Sequence, residues 1–128
     1  MFLVAAGLSS NVLADCEWRE GISHSEYRQC LVAEAQWSVA KLDQAEKTLQ
    51  LRISTAGEEE SFTRRAIELL DASMDSFRKF RVSFCEFEAS TAAGGSAAGD
   101  LRLRCEIKLN QDFARRLIVP AGSLTEAR

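Results

Sequence analysis

The chain has 128 residues, 46% of them hydrophobic and 27% charged, which suits one globular domain and excludes a disordered or fibrous polymer. Its 16 Lys+Arg against 19 Asp+Glu give a net charge of −3, which argues against nucleic acid, whose phosphates call for a basic surface. One proline and one histidine leave little room for proline-built turns or imidazole chemistry.

Residues 1–14 (MFLVAAGLSSNVLA) are apolar, carry no charged side chain and end on Val12, Leu13 and Ala14. An apolar run followed by a small-x-small site reads as a signal peptide cut after Ala14, although no Lys or Arg precedes the run. The run is too short to span a bilayer as a helix, which takes roughly 20 residues. Cys16 follows closely, but Asp15 before it is not the small residue that lipid attachment needs, so no membrane anchor is expected. The predicted product is a periplasmic or secreted protein beginning at Asp15.

Four cysteines remain in that product: Cys16, Cys30, Cys85 and Cys105. An even count in a small exported chain reads as two disulfides, with three connectivities open. No CxxC motif is present and no histidine neighbours them, so neither a zinc site nor a thioredoxin-like centre is expected.

From about Ser23 to Ile53 there is neither Gly nor Pro. Tyr27, Leu31, Ala35, Ser38, Leu42, Ala45, Leu49 and Ile53 recur at steps of three and four, the stripe of an amphipathic helix. Gly57 supplies a stop. Glu58, Glu59 and Glu60 suit the positive end of a second helix, predicted to run to about Ala89. Its apolar stripe is Phe62, Ala66, Leu69 or Leu70, Ser73, Phe77, Phe80, Phe84 and Phe87, with Arg78, Lys79 and Arg81 as a solvated face. In a chain without a basic domain these phenylalanines read as core rather than as a base-stacking platform. A short turn between two long helices predicts an antiparallel hairpin, with all four cysteines near its open end.

Residues 90–99 (STAAGGSAAG) are small and flexible, which fits either a linker or a tethered surface loop that reaches into a partner. Beyond them, residues 101–109 alternate as a strand would, but no second strand candidate exists to pair with. Leu101, Cys105, Leu109, Phe113 and Leu117 also recur every four residues. With Asp100 as N-cap and Pro120 past the end, a third helix is the better reading. Residues 121–128 read as a loose tail. The predicted fold is thus all-α: a long helical hairpin with a third C-terminal helix, stapled by disulfides, over residues 15–120.

Catalytic constellations are absent. His24 is the only imidazole, with no nucleophile elbow, phosphate loop or zinc-protease motif around it. Glu86 and Glu88 lie two apart on a helix and point in different directions. No cofactor is implied, and the chain reads as a binding protein rather than an enzyme.

The aromatic and basic run at residues 77–88 (FRKFRVSFCEFE) is followed by Gly94, Gly95 and Ser96, then by Cys105 and an amphipathic helix. In this order it resembles the LprI-like lysozyme-inhibitor family of small exported bacterial domains. Arg81, Cys85, Gly95, Ser96, Cys105, Leu109 and Leu117 match that family's pattern, and Cys16, Cys30 and Leu42 match its front half. The chain departs from the pattern with Met74 for a usual Gln, Phe77 for Trp, Val82 for Asp, Asn110 for Thr and Phe113 for Arg. Asp43 and Glu46 likewise replace Asn and Tyr.

The resemblance implies that each half keeps its own disulfide, Cys16–Cys30 and Cys85–Cys105. It also implies inhibition of a lysozyme-type muramidase. A narrow loop of Gly94, Gly95 and Ser96, with Arg102 and Arg104 beside it, is the segment expected to enter the cleft, a helix face being the other candidate. The alternative is a structural or accessory protein of the bacterial envelope with no enzyme target.

Overall fold

The computed structural model describes residues 16–118 and contains three α-helices. The signal peptide expected at 1–14 and the tail expected at 121–128 lie outside the described residues. Helix α1 spans His24–Thr55, α2 Glu60–Ser90 and α3 Ser96–Ile118. The first helix starts on a capping box: Ser23 Oγ accepts from the Glu26 amide, and the Glu26 carboxylate accepts from the Ser23 amide. It ends before Gly57, whose φ of 74° lies in the left-handed region that a glycine enters without steric cost. Glu59 sits at the N-cap of α2, so the acidic triplet does mark a helix start.

Helices α1 and α2 run antiparallel, and α3 lies along both of them. It is parallel to α1 and antiparallel to α2, as contacts along its length show. Asp100 meets His24, Arg104 meets Tyr27 and Asn110 meets Ser38; on the other side Arg102 meets Glu86 and Phe113 meets Phe77. Most of the packing is therefore against α3, and direct contact between α1 and α2 is concentrated nearer their turn. There Arg78 pairs with Glu46 (2.9 Å) and Gln50 donates to Asp71 (3.2 Å). The core divides into two clusters. One joins all three helices through Leu42, Ala45, Leu49, Leu70, Met74, Phe77, Ala114 and Leu117. The other, at the open end, holds Tyr27, Leu31, Ala35 and Ile107.

Both disulfides are local, Cys16–Cys30 and Cys85–Cys105, with Cα–Cα distances of 5.8 and 5.5 Å. The first ties the N-terminal arm to α1, the second α2 to α3.

Four expectations are corrected. The small-residue stretch at 90–99 is not one loop: Ser90 ends α2 and Ser96 begins α3, which leaves residues 91–95 as the connection. Asp100 is consequently not an N-cap but lies inside α3, where α1 engages it. The aromatic stripe of α2 does not go wholly into the core. Leu70, Met74, Phe77 and Cys85 are buried, whereas Phe62, Leu69, Phe80 and Phe87 stand half or more exposed. One helix buries only part of its circumference, and α3 covers the face carrying Leu70, Met74 and Phe77. Nor are all three basic residues a solvated face. Arg78 bridges to α1, and Arg81 donates to Asn110 (2.7 Å), while Lys79 stays exposed.

Candidate functional site

The connection at residues 91–95 forms a tight turn at the open end of the bundle. Ala93, Gly94 and Gly95 have φ of 53°, 94° and 84°, three left-handed residues in succession. Two glycines make that path accessible; Ala93 takes it at a cost of about 1–2 kcal/mol. A Cβ built on Gly94 or Gly95 would meet nothing within 4 Å, so backbone conformation and not crowding favours glycine there. Gly94, Gly95 and Ser96 are all exposed.

The turn is held from both sides. On the α2 side, Thr91 Oγ1 donates to the Glu88 carbonyl (2.6 Å), and the Ala92 and Ala93 amides donate to the Ala89 and Ser90 carbonyls. On the α3 side, Arg28 reaches across from α1. Its Nη2 donates to the Ser96 carbonyl (2.8 Å) and its Nε to Asp100 Oδ1 (2.6 Å). Its guanidinium lies over Gly99, where a Cβ would come within 2.6 Å, so an alanine there would push the arginine away. His24 Nε2 meets the second oxygen of Asp100 at 2.8 Å. Partial burial raises the Asp100 pKa, but hydrogen bonds from His24 and Arg28 and the charge of Arg28 outweigh it. The carboxylate is held below its ordinary range.

Below the turn, the Cys85–Cys105 disulfide and a two-pronged ion pair clamp α2 to α3. Arg102 Nε and Nη2 donate to the two oxygens of Glu86 at 2.6 and 3.1 Å. Hydrogen bonding to Arg102 holds the Glu86 pKa down, and the same bond raises that of Arg102. Arg104 turns the other way and donates through Nη1 to the Tyr27 hydroxyl (2.9 Å). The Tyr27 ring is buried and meets the largely exposed Trp18 edge-on at 5.6 Å.

The five residues expected at a partner site thus gather at one end of the molecule, in two different roles. Gly94, Gly95 and Ser96 form the exposed tip, whereas Arg102 and Arg104 are both engaged within the chain. Sequence reasoning missed Arg28 and gave Asp100 another task, because their pairing joins positions 72 apart. The signal available was the i, i+4 spacing of His24 and Arg28, two groups able to face one carboxylate from a single helix face.

Among the described residues no cluster of His, Cys, Asp and Glu could hold a metal ion, and no helix is long and apolar enough to cross a membrane. A groove of about 610 Å³ beside α3 is lined by charges of both signs, among them Glu34, Glu88, Arg104, Lys108 and Arg115. Two disulfides are at home in an oxidising compartment.

No curated protein and no solved structure matches this chain. A family model, described as lysozyme inhibitor LprI, matches residues 16–117, a span that opens on the first disulfide cysteine and closes in the last turn of α3. The chain therefore belongs to the LprI family, whose members are binding proteins and not enzymes.

Proposed function

We propose that the protein is exported and inhibits a lysozyme-type muramidase, inserting the turn around Gly94, Gly95 and Ser96 into the catalytic groove. The observation that carries the reading is the family match, and the shape of the turn supports the choice of site. A muramidase groove holds two carboxyl groups, one of them protonated during the reaction. A helix about 10 Å wide does not enter such a groove, whereas a turn with two residues lacking side chains does. Backbone N–H groups and the Ser96 hydroxyl then face the carboxyls. Because the turn is held by Arg28, Asp100 and the Cys85–Cys105 bond, little ordering entropy is lost on binding. Arg102 and Arg104 brace its base and keep further N–H donors for the rim of the groove.

Purified protein is expected to slow the lysis of bacterial cell walls by lysozyme. Ser96→Asp is the discriminating variant. It places a like charge against the carboxyls but favours the N-terminus of α3, so inhibition falls at least about tenfold with the circular dichroism unchanged. Unaltered inhibition by Ser96→Asp moves the site elsewhere, and no inhibition by the parent protein leaves the accessory envelope role. Export has its own test: the intact mass of protein recovered from the periplasm should correspond to a chain beginning at Asp15. Retention of Met1 there would remove the signal peptide.

A further inference from the structure

Helix α2 carries a second apolar stripe that the bundle does not cover. Phe62, Phe80 and Phe87 are 65%, 50% and 63% exposed, and Leu69 is 50% exposed. These residues recur with Ala66, Ser73, Ser76 and Ser83 at alternating steps of four and three, the seam of a two-helix coiled coil. The seam runs from Phe62 to Phe87, about 38 Å at 1.5 Å per residue. At its middle is a shallow groove of about 460 Å³ floored by Ala72, Ser73 and Ser76 between Leu69 and Phe80.

We propose that this seam is the interface of a symmetric dimer in which α2 packs antiparallel against α2 of a second copy. The seam is complementary to itself in one register. Pairing Phe62 with Phe87 of the second copy also pairs Ala66 with Ser83, Leu69 with Phe80 and Ser73 with Ser76. Large and small pairs alternate along the seam and the small pair Ser73–Ser76 lies at its centre, so the helices approach closely where the groove lies. A twofold axis at the centre repeats each contact, as a closed dimer requires. The same register brings Arg65 beside Glu86 of the second copy, twice, on the flank of the seam. Both side chains are more than half exposed and so can reach outward.

Burying the Ser73 and Ser83 hydroxyls costs little. Ser73 Oγ already donates to the Leu69 carbonyl (2.7 Å), and Ser83 Oγ to the carbonyls of Lys79 and Phe80 (3.2 Å each). The three exposed rings alone would remove on the order of 350 Å² from water on each copy, at about 200 Å² per ring. Leu69, the half-buried Phe84 and Phe113, and the polar flanks extend this towards the roughly 800 Å² per partner of a standard interface.

Sedimentation equilibrium of the full chain should give twice the monomer mass, and Phe80→Asp should weaken association at least about tenfold with unchanged helicity. Register is tested by mixing Ala66→Cys and Ser83→Cys variants under mild oxidation. A cross-link is expected between the two variants and not within either, since position 66 lies about 25 Å from its own copy in the antiparallel pair. A monomer at every concentration overturns the proposal, including one whose seam is covered by residues of its own chain. Cross-linking of Ala66→Cys to itself overturns the antiparallel register.

Discussion

Replacing Asn110 with alanine is expected to cost about 3 kcal/mol of folding stability, enough to lower the melting temperature by about 10–20 °C in a domain of this size. Asn110 has no exposure, and its side chain ties all three helices together. Its Oδ1 accepts from Arg81 of α2 (2.7 Å), and its Nδ2 donates to Ser38 Oγ of α1 (3.0 Å). Ser38 Oγ in turn donates to the Ala35 carbonyl (2.7 Å). Among the described residues no buried side-chain nitrogen or oxygen lacks a partner, so the network has no slack. Alanine at 110 removes the acceptor from a half-buried guanidinium and leaves a void of amide size. Losing a hydrogen bond to a charged group costs about 1.5–3 kcal/mol, and the void adds to that.

The double variant Asn110→Leu, Arg81→Leu is the control. Removing both partners in favour of apolar side chains restores most of the loss, because no charge is then stranded. Urea unfolding of Asn110→Leu, Arg81→Leu and the double closes a cycle with a coupling of about 1–3 kcal/mol. A loss below about 1 kcal/mol for Asn110→Ala would mean that Arg81 finds water instead and that the network does not define the core.

Much of this fold is written in local patterns. The α1 stripe predicted from spacing is the buried face, from Tyr27 and Leu31 through Leu42 to Leu49. The alternation at residues 101–109 imitates a strand, but a chain without a second strand resolves it, and α3 is helical throughout. What was not legible depends on distant partners. The predicted start of α3 is five residues late, because Ser96 to Gly99 carry no large apolar side chain to begin a stripe, and Gly95 and Gly99 offset the two alanines between them. Those residues are fixed by Arg28 of α1, whose partners Ser96 and Asp100 lie 68 and 72 positions away along the chain.

The α2 phenylalanines illustrate the same limit. Period 3.6 says that they line a face, and only the position of α3 decides which face is inside. The departures from the family pattern gain a physical reading in the fold. Phe77 and Phe113 stand where Trp and Arg are usual, and here their rings stack on each other at 4.3 Å. Glu46, in the place of a Tyr, takes the ion pair from Arg78. Two substitutions that look like losses one at a time are partners in space.

The second large effect concerns the clamp beneath the turn, and it separates stability from inhibition. Each disulfide closes a short loop, with separations of 14 and 20 residues, so on the chain-entropy model each contributes roughly 3 kcal/mol. The paired variants Cys16→Ala, Cys30→Ala and Cys85→Ala, Cys105→Ala should therefore lose similar stability in urea. Their effects on a muramidase should differ. The first bond fastens the N-terminal arm to α1, beside the cluster that Ile107 of α3 completes, and does not join the two helices whose ends carry the turn. The second lies next to Glu86 on α2 and three residues beyond Arg102 on α3, and fixes the spacing of the two helices whose ends carry Gly94 and Gly95. Without it the tip must be ordered on binding, at about 1–2 kcal/mol of backbone entropy for each residue newly fixed. Inhibition by the Cys85→Ala, Cys105→Ala protein is then expected to fall at least about tenfold at a temperature where it remains folded, while the other variant inhibits as the parent does. Equal inhibition by both variants would show that the clamp serves the fold alone and that the bound surface lies on the helices.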